Sequence, residues 1–141
     1  MTPDQVKLVQ RSFAKVLPIA DTAATLFYDR LFETTPAVKP LFHGDMAEQR
    51  RKLVATLAAV VAGLGNLETV LPAASALAKR HVDYGVKPEH YESVGSALLW
   101  TLERGLGDGW TPDLARAWWA AYGTLSGFMI DEAYGPAAAA E

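Results

Sequence analysis

Apolar residues recur every three or four positions along most of the chain, which is the spacing of one face of an α-helix. No stretch alternates apolar and polar residues beside a tight-turn pair, so the pattern predicts no β-hairpin. The sequence therefore predicts an all-α protein. The clearest stripes are Val6–Val9–Phe13–Val16, Leu53–Leu57–Val60–Leu64, Tyr91–Val94–Leu98–Leu102 and Leu114–Trp118–Tyr122–Leu125–Met129.

Prolines mark several of the predicted helix starts. A proline at the first helical position occupies a site where no backbone N–H is needed. Pro72 instead falls inside an apolar pattern, so we expect a break there and the helix proper to begin around it. The marked starts are Thr2-Pro3, Thr35-Pro36, Lys87-Pro88 and Thr111-Pro112, and the predicted helices span residues 3–17, 20–34, 36–41, 47–63, 67–82, 88–106 and 112–134.

Composition narrows the class of protein. Of the 141 residues, 50% are hydrophobic and 21% charged, which is typical of a globular domain. We expect residues 1–141 to form a single domain, with 136–141 as a frayed tail. A net charge of -3 argues against nucleic-acid binding. The absence of cysteine excludes disulfides, zinc–thiolate sites and iron–sulfur clusters.

The sequence also bears on location. The longest apolar stretch, Leu53–Leu64, is much shorter than the roughly 20 residues that a membrane-spanning helix needs. The N-terminus lacks a basic stretch followed by an apolar run, so it predicts no signal peptide. We therefore expect a cytoplasmic protein that does not associate with membranes.

His81 is a polar residue on an apolar stripe. It shares one helical face with Ala78, Leu77 and Ala74, so its imidazole is predicted to point into the interior. An unsatisfied polar group there costs roughly 1–3 kcal/mol, so the ring must either hydrogen-bond or bind a ligand. Taken alone, this feature favours a hydrogen-bonded core histidine over a metal ligand.

Three further residues point inward from other predicted helices. Gln49 heads the stripe that continues at Leu53, Tyr28 lies on a strongly apolar helix, and Phe42 closes a short proline-bounded segment. Each has an ordinary interpretation: a boundary glutamine, a core tyrosine bonded to a backbone carbonyl, and a core aromatic. Together with His81 they describe a pocket with one metal-capable imidazole and two hydrogen-bond donors.

The order of these residues resembles that of bacterial single-domain globins and of the haem domain of flavohaemoglobins. The resemblance covers about residues 4–134 and implies a globin fold, a three-on-three helical sandwich around a haem b. The matching segments are Leu26–Phe32, Pro36–Phe42, Gln49 with Arg51–Leu53, Asn66–Glu68 with Leu71-Pro72, Lys79–His81, Tyr84–Val86, His90-Tyr91 with Val94-Gly95, Ala117-Trp118 and Ala121–Gly123.

The resemblance implies a role for residues on the proximal side of the haem. His81 would be the iron ligand, with its second ring nitrogen bonded to a carbonyl near Leu77 or Ala78. Arg80 resembles a basic residue that meets a haem propionate in this family. The haem-contacting residues that the resemblance implies are His81, Phe42, Arg80, Leu53, Leu77, Tyr91 and Val86.

On the distal side the resemblance makes Tyr28 and Gln49 the ligand-binding pair, with Leu53 limiting the space. Dioxygen held in such a pocket carries partial negative charge. A hydrogen bond to a charged group is worth about 1.5–3 kcal/mol, and about 1.4 kcal/mol is tenfold in affinity. We therefore expect tight oxygen binding and slow release. No histidine occupies the distal stripe, and His43 falls in a corner loop, so we expect an open sixth position, or weak capture by Tyr28.

One position departs from the family pattern. Flavohaemoglobins place a tyrosine and a glutamate behind the proximal histidine, and Tyr91 matches the tyrosine. The glutamate position corresponds to Ala133, and Glu132 is one residue away, a turn of about 100° on a helix. A bend in the helix could bring Glu132 back to that position, and without one the departure weakens the case for a strongly electron-donating proximal side.

Several functions remain open from the sequence. The resemblance implies reversible binding of dioxygen and other diatomic gases, and it extends to turnover of nitric oxide to nitrate with an external reductase. A gas or redox sensor acting through a partner protein is the alternative, although no residues of the sequence are left for an output domain. A haem-free helical domain fits the joint pattern least well.

The sequence predicts a monomer or a weak homodimer. Trp100, Trp110 and Trp119 are candidates for a dimer face. Trp118 and Trp119 are adjacent, so one helix cannot direct both into the core.

Overall fold

The computed structural model describes residues 1–42 and 44–134. These residues form α-helices and short 3-10 segments with no β-strand, which confirms the predicted all-α class. None of the described helices has the length and hydropathy of a membrane span. The predicted tail, 136–141, lies outside the described residues. The α-helices are α1 (Pro3–Val16), α2 (Ala20–Thr34), α3 (Met46–Ala62), α4 (Leu71–Asp83), α5 (Pro88–Leu106) and α6 (Pro112–Tyr134), and the 3-10 segments are Leu17–Ile19, Pro36–Leu41, Leu67–Thr69 and Gly107–Gly109.

Local hydrogen bonds account for the helix starts. The Thr2 hydroxyl accepts from the Gln5 N–H at 3.1 Å, and the Gln5 side chain accepts from the Thr2 N–H at 3.0 Å. This reciprocal pair satisfies N–H groups that have no partner within α1. The Thr111 hydroxyl does the same for the Leu114 N–H at the start of α6, at 3.1 Å.

Prolines decide where two elements differ from a plain α-helix. Pro72 lies in the first turn of α4, after the separate 3-10 segment Leu67–Thr69, so the break predicted near it is present. The predicted helix over residues 36–41 forms as a 3-10 segment instead. Pro40 lies inside that segment, and a proline there cannot donate the backbone bond that an α-helix requires.

The main core lies between α1, α2, α5 and α6. It includes Val9, Leu31 and Trp118, which are at most 3% exposed. Trp118 Nε1 donates to Ser12 Oγ at 2.9 Å, so the buried indole N–H is satisfied. Trp119 is 43% exposed, as the adjacency of the two tryptophans requires.

A smaller apolar cluster lies between α4 and α6 and contains Ala74, Ala78, Tyr91 and Met129. Helix α3 packs on α1 and α2, and α4 packs on α6, but the described α3 and α4 do not form a packed interface with each other. The apolar core is therefore divided, with one part against α3 and the other against α4. We call the space between the inward faces of these helices the α3–α4 crevice.

A glycine allows α5 and α6 to meet closely behind this crevice. A Cβ atom added at Gly95 would lie 2.6 Å from the Tyr122 ring, so a larger residue would push the helices apart. Because the two helices approach closely here, the Tyr122 hydroxyl of α6 donates to the Tyr91 carbonyl of α5. The contact fixes the part of α5 that carries Tyr91.

Candidate functional site

His81 lies in the last turn of α4 and is half-buried. Its Nδ1 lies 2.8 Å from the Leu77 carbonyl oxygen, so the hydrogen bond predicted for this ring is present. A carbonyl can only accept, so Nδ1 is the protonated nitrogen. This tautomer leaves the lone pair of Nε2 available to a ligand.

The surroundings of His81 keep the ring neutral. Burial lowers its pKa below the ordinary value of 6.5, because the charged form loses hydration. The bond to the Leu77 carbonyl opposes this shift, and the charge of the adjacent Arg80 adds to it. A neutral imidazole is the form that binds a metal ion.

Two tyrosine rings flank His81. The Tyr91 ring centroid is 6.2 Å away with the planes 27° apart, and the Tyr84 centroid is also 6.2 Å away. Tyr84 was not predicted as a site residue, and it is 54% exposed. Among the described residues the buried Tyr91 hydroxyl has no hydrogen-bond partner. Burial, with a smaller effect of Tyr134, raises the pKa of Tyr91 to about 12, so the hydroxyl remains a donor at neutral pH.

The remaining predicted proximal residues surround the histidine. Leu77 and Val86 are half-buried and pack on the smaller cluster, and the Val86 N–H donates to the His81 carbonyl at 2.9 Å. Arg80 is exposed at the rim of the site. The Tyr134 hydroxyl donates to the Val86 carbonyl, a contact that no sequence pattern indicated.

The register of α6 keeps the nearest carboxylate away from His81. Glu132 is exposed, whereas Ala133 is half-buried and packs on the cluster that contains Tyr91. One residue along a helix turns a side chain by about 100°, which accounts for the difference. The sequence expectation about this position agrees with the observed register.

Tyr28 and Gln49 are neighbours where α2 packs on the start of α3. Tyr28 is 6% exposed, and its hydroxyl donates to the main-chain carbonyl of Gln49 at 3.4 Å. The sequence alternative of a core tyrosine bonded to a backbone carbonyl is therefore realised. The bond is longer than the 2.5–3.0 Å range of good O–H···O bonds, so a ligand at ordinary distance would be a better acceptor. Gln49 itself is half-buried in the first turn of α3.

Aromatic packing fixes the Tyr28 ring. Its centroid lies 5.0 Å from that of Phe27 and 5.4 Å from that of Phe42, both in edge-on geometry. Phe32 lies edge-on to Phe42 at 5.4 Å and completes the group, although it was not predicted as a site residue. Such pairs are worth about 0.5–1.5 kcal/mol beyond their buried area.

The charge state of Tyr28 follows from its burial. Loss of hydration raises the pKa of Tyr28 to about 12, and the nearby Arg50 opposes the rise. The hydroxyl is therefore a neutral donor at physiological pH. Leu53, one turn after Gln49, is half-buried and packs against the main core. The predicted loop residue His43 lies outside the described residues.

These features fit a flat apolar group with a metal at its centre. Helix α4 supplies a neutral imidazole, and the contact between α2 and α3 supplies two hydrogen-bonding side chains. Leu53, Leu57 and Leu77 pack against the two core clusters and stay half-buried. The buried Tyr91 hydroxyl also lacks a partner within the described chain. A haem matches this donor set and these surfaces.

Known proteins resemble the chain in sequence and in fold. The globin family model matches residues 25–129. The flavohemoprotein of Rhodopirellula baltica is 34% identical over 128 residues, which is 89% of this chain and 31% of that protein. The flavohemoprotein of Bacillus subtilis is 29% identical over 89% of this chain and 32% of its own length. A bacterial globin from Campylobacter jejuni superposes with a TM-score of 0.80 at 28% identity, covering 93% of this chain and 95% of that one.

The chain belongs to the globin family. The predicted family and the globin fold are confirmed, and membership implies a haem cofactor and a diatomic gas as ligand. The chain spans about a third of the length of the flavohemoproteins that it matches.

Proposed function

We propose that this globin binds dioxygen reversibly on a haem b held in the α3–α4 crevice, with high affinity provided by Tyr28 and Gln49. The haem supplies a ferrous iron that takes up the gas. The observation that carries the proposal is the neutral, ring-locked Tyr28 hydroxyl beside Gln49, whose existing bond of 3.4 Å is weak.

On the proximal side, His81 holds the metal through Nε2. The bond from Nδ1 to the Leu77 carbonyl sets the tautomer and limits rotation of the ring. Leu77 and Val86 would cover one apolar face of the cofactor, Phe42 would contact it from the side of Tyr28, and the exposed Arg80 would supply a positive charge for a propionate. Tyr91 lies behind His81 and completes this wall.

On the distal side, Tyr28 donates to the partial negative charge that dioxygen acquires on binding. Gln49 supplies a second donor, and Leu53 restricts the space above it. Because the hydroxyl bond to the Gln49 carbonyl is long, little is lost when the hydroxyl turns toward the gas. A bond of this kind contributes about 1.5–3 kcal/mol, or roughly 10- to 150-fold in affinity.

Replacing Tyr28→Phe tests the proposal directly. The variant keeps the aromatic packing and loses the donor, so we expect oxygen dissociation to accelerate by about 10- to 100-fold. The measurement is stopped-flow displacement of dioxygen by carbon monoxide. Thr25→Ala removes an exposed hydroxyl from the same helix and serves as the matched control. An unchanged dissociation rate in Tyr28→Phe would overturn the proposal.

The proximal side favours reversible binding over turnover of nitric oxide to nitrate. Turnover consumes an electron per cycle and is helped by a proximal ligand that donates electron density to the metal. Here the His81 Nδ1–H donates to a neutral carbonyl rather than to a carboxylate, and Glu132 is exposed.

Nitric oxide turnover is tested separately. The oxygen-loaded protein is mixed with nitric oxide, and nitrate formation is followed with and without a flavin reductase and nicotinamide cofactor. We expect a single stoichiometric conversion and slow re-reduction. Sustained turnover at the rate of re-reduction would assign the protein to nitric oxide detoxification instead.

A further inference from the structure

Two tyrosine rings lie at the same distance from the His81 ring, but their surroundings differ. The ring centroids of Tyr84 and Tyr91 are each 6.2 Å from that of His81, with interplanar angles of 47° and 27°. Tyr84 is 54% exposed, whereas Tyr91 is 7% exposed. The chain thus places one phenol in water and one in the apolar interior beside the same imidazole.

The end of α4 fixes the backbone of Tyr84 next to His81. The Tyr84 N–H donates to the Arg80 carbonyl at 3.1 Å, and the Val86 N–H donates to the His81 carbonyl at 2.9 Å. Gly85 follows Tyr84 with a φ of 90°, the left-handed conformation in which glycine commonly ends a helix. Tyr84 therefore belongs to a hydrogen-bonded turn that holds it close to the imidazole.

The two phenols differ in where a proton can go. A phenol gives up an electron readily only when its hydroxyl proton leaves with it, because the protonated radical is a strong acid. Tyr84 lies largely in solvent and can pass this proton to water. The Tyr91 hydroxyl is buried and has no hydrogen-bond partner among the described residues, so nothing in that part of the chain is placed to accept its proton.

Hydrogen peroxide creates a demand for such an electron at a haem site. Reduction of one peroxide to two molecules of water takes two electrons and two protons. A ferric iron supplies one of these electrons, and the other comes from the porphyrin or from a nearby side chain. A donor at the surface moves the oxidation away from the residues that line the site.

We propose that Tyr84 supplies this second electron. It loses the electron toward His81 and its hydroxyl proton to water, and a neutral phenoxyl radical remains at the surface. A reductant that gives up a hydrogen atom, such as ascorbate, restores the phenol. Without a reductant, the radicals of two copies join through a carbon–carbon bond as dityrosine. The inference rests on the proposed function for the position of the haem beside His81.

Electron paramagnetic resonance on freeze-quenched samples tests the assignment, using the haem-loaded ferric full chain mixed with an equal amount of hydrogen peroxide. We expect a tyrosyl radical signal whose splitting collapses when ring-deuterated tyrosine is incorporated. Tyr84→Phe keeps the ring and removes the hydroxyl, so it should lose this signal. Tyr91→Phe is the matched control, because it removes a hydroxyl from a ring at the same distance from His81 and should keep the signal.

Covalent products give a second readout that needs no variant. Peptide mass spectrometry of the peroxide-treated, unmodified protein should find dimers joined by dityrosine at Tyr84. Ascorbate added before the peroxide should suppress them. A cross-link that forms only at other tyrosines would contradict the inference even if Tyr84→Phe failed to fold.

The remaining outcomes separate this inference from the proposed function. A signal that survives in Tyr84→Phe, or no tyrosyl signal in the unmodified protein, would overturn the role of Tyr84. The absorption band of the bound haem, recorded for every sample, decides haem binding independently. A protein that keeps this band but gives no signal refutes the role of Tyr84 alone, whereas a protein that takes up no haem refutes the proposed function.

Discussion

The two sides of the crevice differ in how tightly their side chains pack and in whether their buried hydroxyl groups have hydrogen-bond partners. On the distal side, Tyr28 belongs to the main core, is fixed by edge-on aromatic contacts and has a partner for its hydroxyl. On the proximal side, His81 and Tyr91 lie beside a small cluster, and the Tyr91 hydroxyl is buried without a partner in the described chain. Under the proposed function, the hydroxyl that faces the gas is held rigidly, whereas no carboxylate behind His81 is placed to tune the metal.

The largest expected effect comes from removing the proximal imidazole. His81→Gly should weaken haem binding more than about 100-fold. Even the loss of a group that only hydrogen-bonds to a metal ligand costs about 10–100-fold in metal affinity. Added imidazole should restore binding, which separates loss of the ligand from loss of the fold. The measurement is a haem titration followed by the intense absorption band of the bound haem in the violet.

The control for this experiment is His90→Gln. His90 accepts from the Lys87 N–H at 3.0 Å at the start of α5, and glutamine can serve the same capping role. Haem affinity should stay unchanged in this variant. If His90→Gln lost haem as completely as His81→Gly, His81 would not be the ligand.

A carboxylate introduced on the inward face of α6 should supply the electron donation that the proximal side lacks. Ala133→Glu directs a carboxylate toward the cluster of Tyr91, so the two groups can pair and polarise His81. We expect the iron reduction potential to fall by about 60–120 mV, the one-electron equivalent of 10- to 100-fold. Potentiometric titration measures the change.

Glu132→Gln is the counterpart of that variant. Its side chain is exposed, so its loss should leave the potential unchanged. A rise in potential in Glu132→Gln would mean that Glu132 reaches the proximal side in solution. The proximal wall would then be as well organised as the distal one.

The smallest expected effects concern the two buried tyrosines of the proximal side. Tyr122→Phe removes a hydroxyl that donates to the Tyr91 carbonyl and should lower the free energy of unfolding by about 1 kcal/mol. Tyr91→Phe removes a hydroxyl that has no partner in the described chain, so the free energy of unfolding should stay unchanged or rise slightly. Urea denaturation of both variants checks the contrast, and an equal loss in Tyr91→Phe would show that its hydroxyl has a partner.

Much of this arrangement was readable from residue spacing. His81 and Tyr28 stood out because each is a polar side chain on an otherwise apolar helical face, and helical geometry fixes which way such a residue points. The sequence left open whether a bend brings Glu132 to the proximal side, and in the structure α6 is continuous through that residue and Glu132 is exposed. The role of each predicted site residue remains a prediction that the variants above test.

Other features depend on segments that meet only in the folded chain. Phe32 joins the Tyr28 group through Phe42, and Tyr134 reaches the Val86 carbonyl from the far end of α6. A small apolar cavity between α1, α2, α3 and α5 is a gap left by side chains of separate helices, so no local pattern encodes it. Residues 36–41 form a 3-10 segment because Pro40 inside it cannot donate the backbone hydrogen bond that an α-helix requires.

The divided core has a consequence for how the mature protein is made. Since α3 and α4 share no packed interface in the described chain, α4 is joined to the other helices chiefly through α6. A group that fills the gap and binds only the folded form raises its stability according to concentration and affinity. The cellular supply of porphyrin would thus govern how much of this polypeptide survives proteolysis. Iron starvation would deplete the globin polypeptide itself as well as its bound haem.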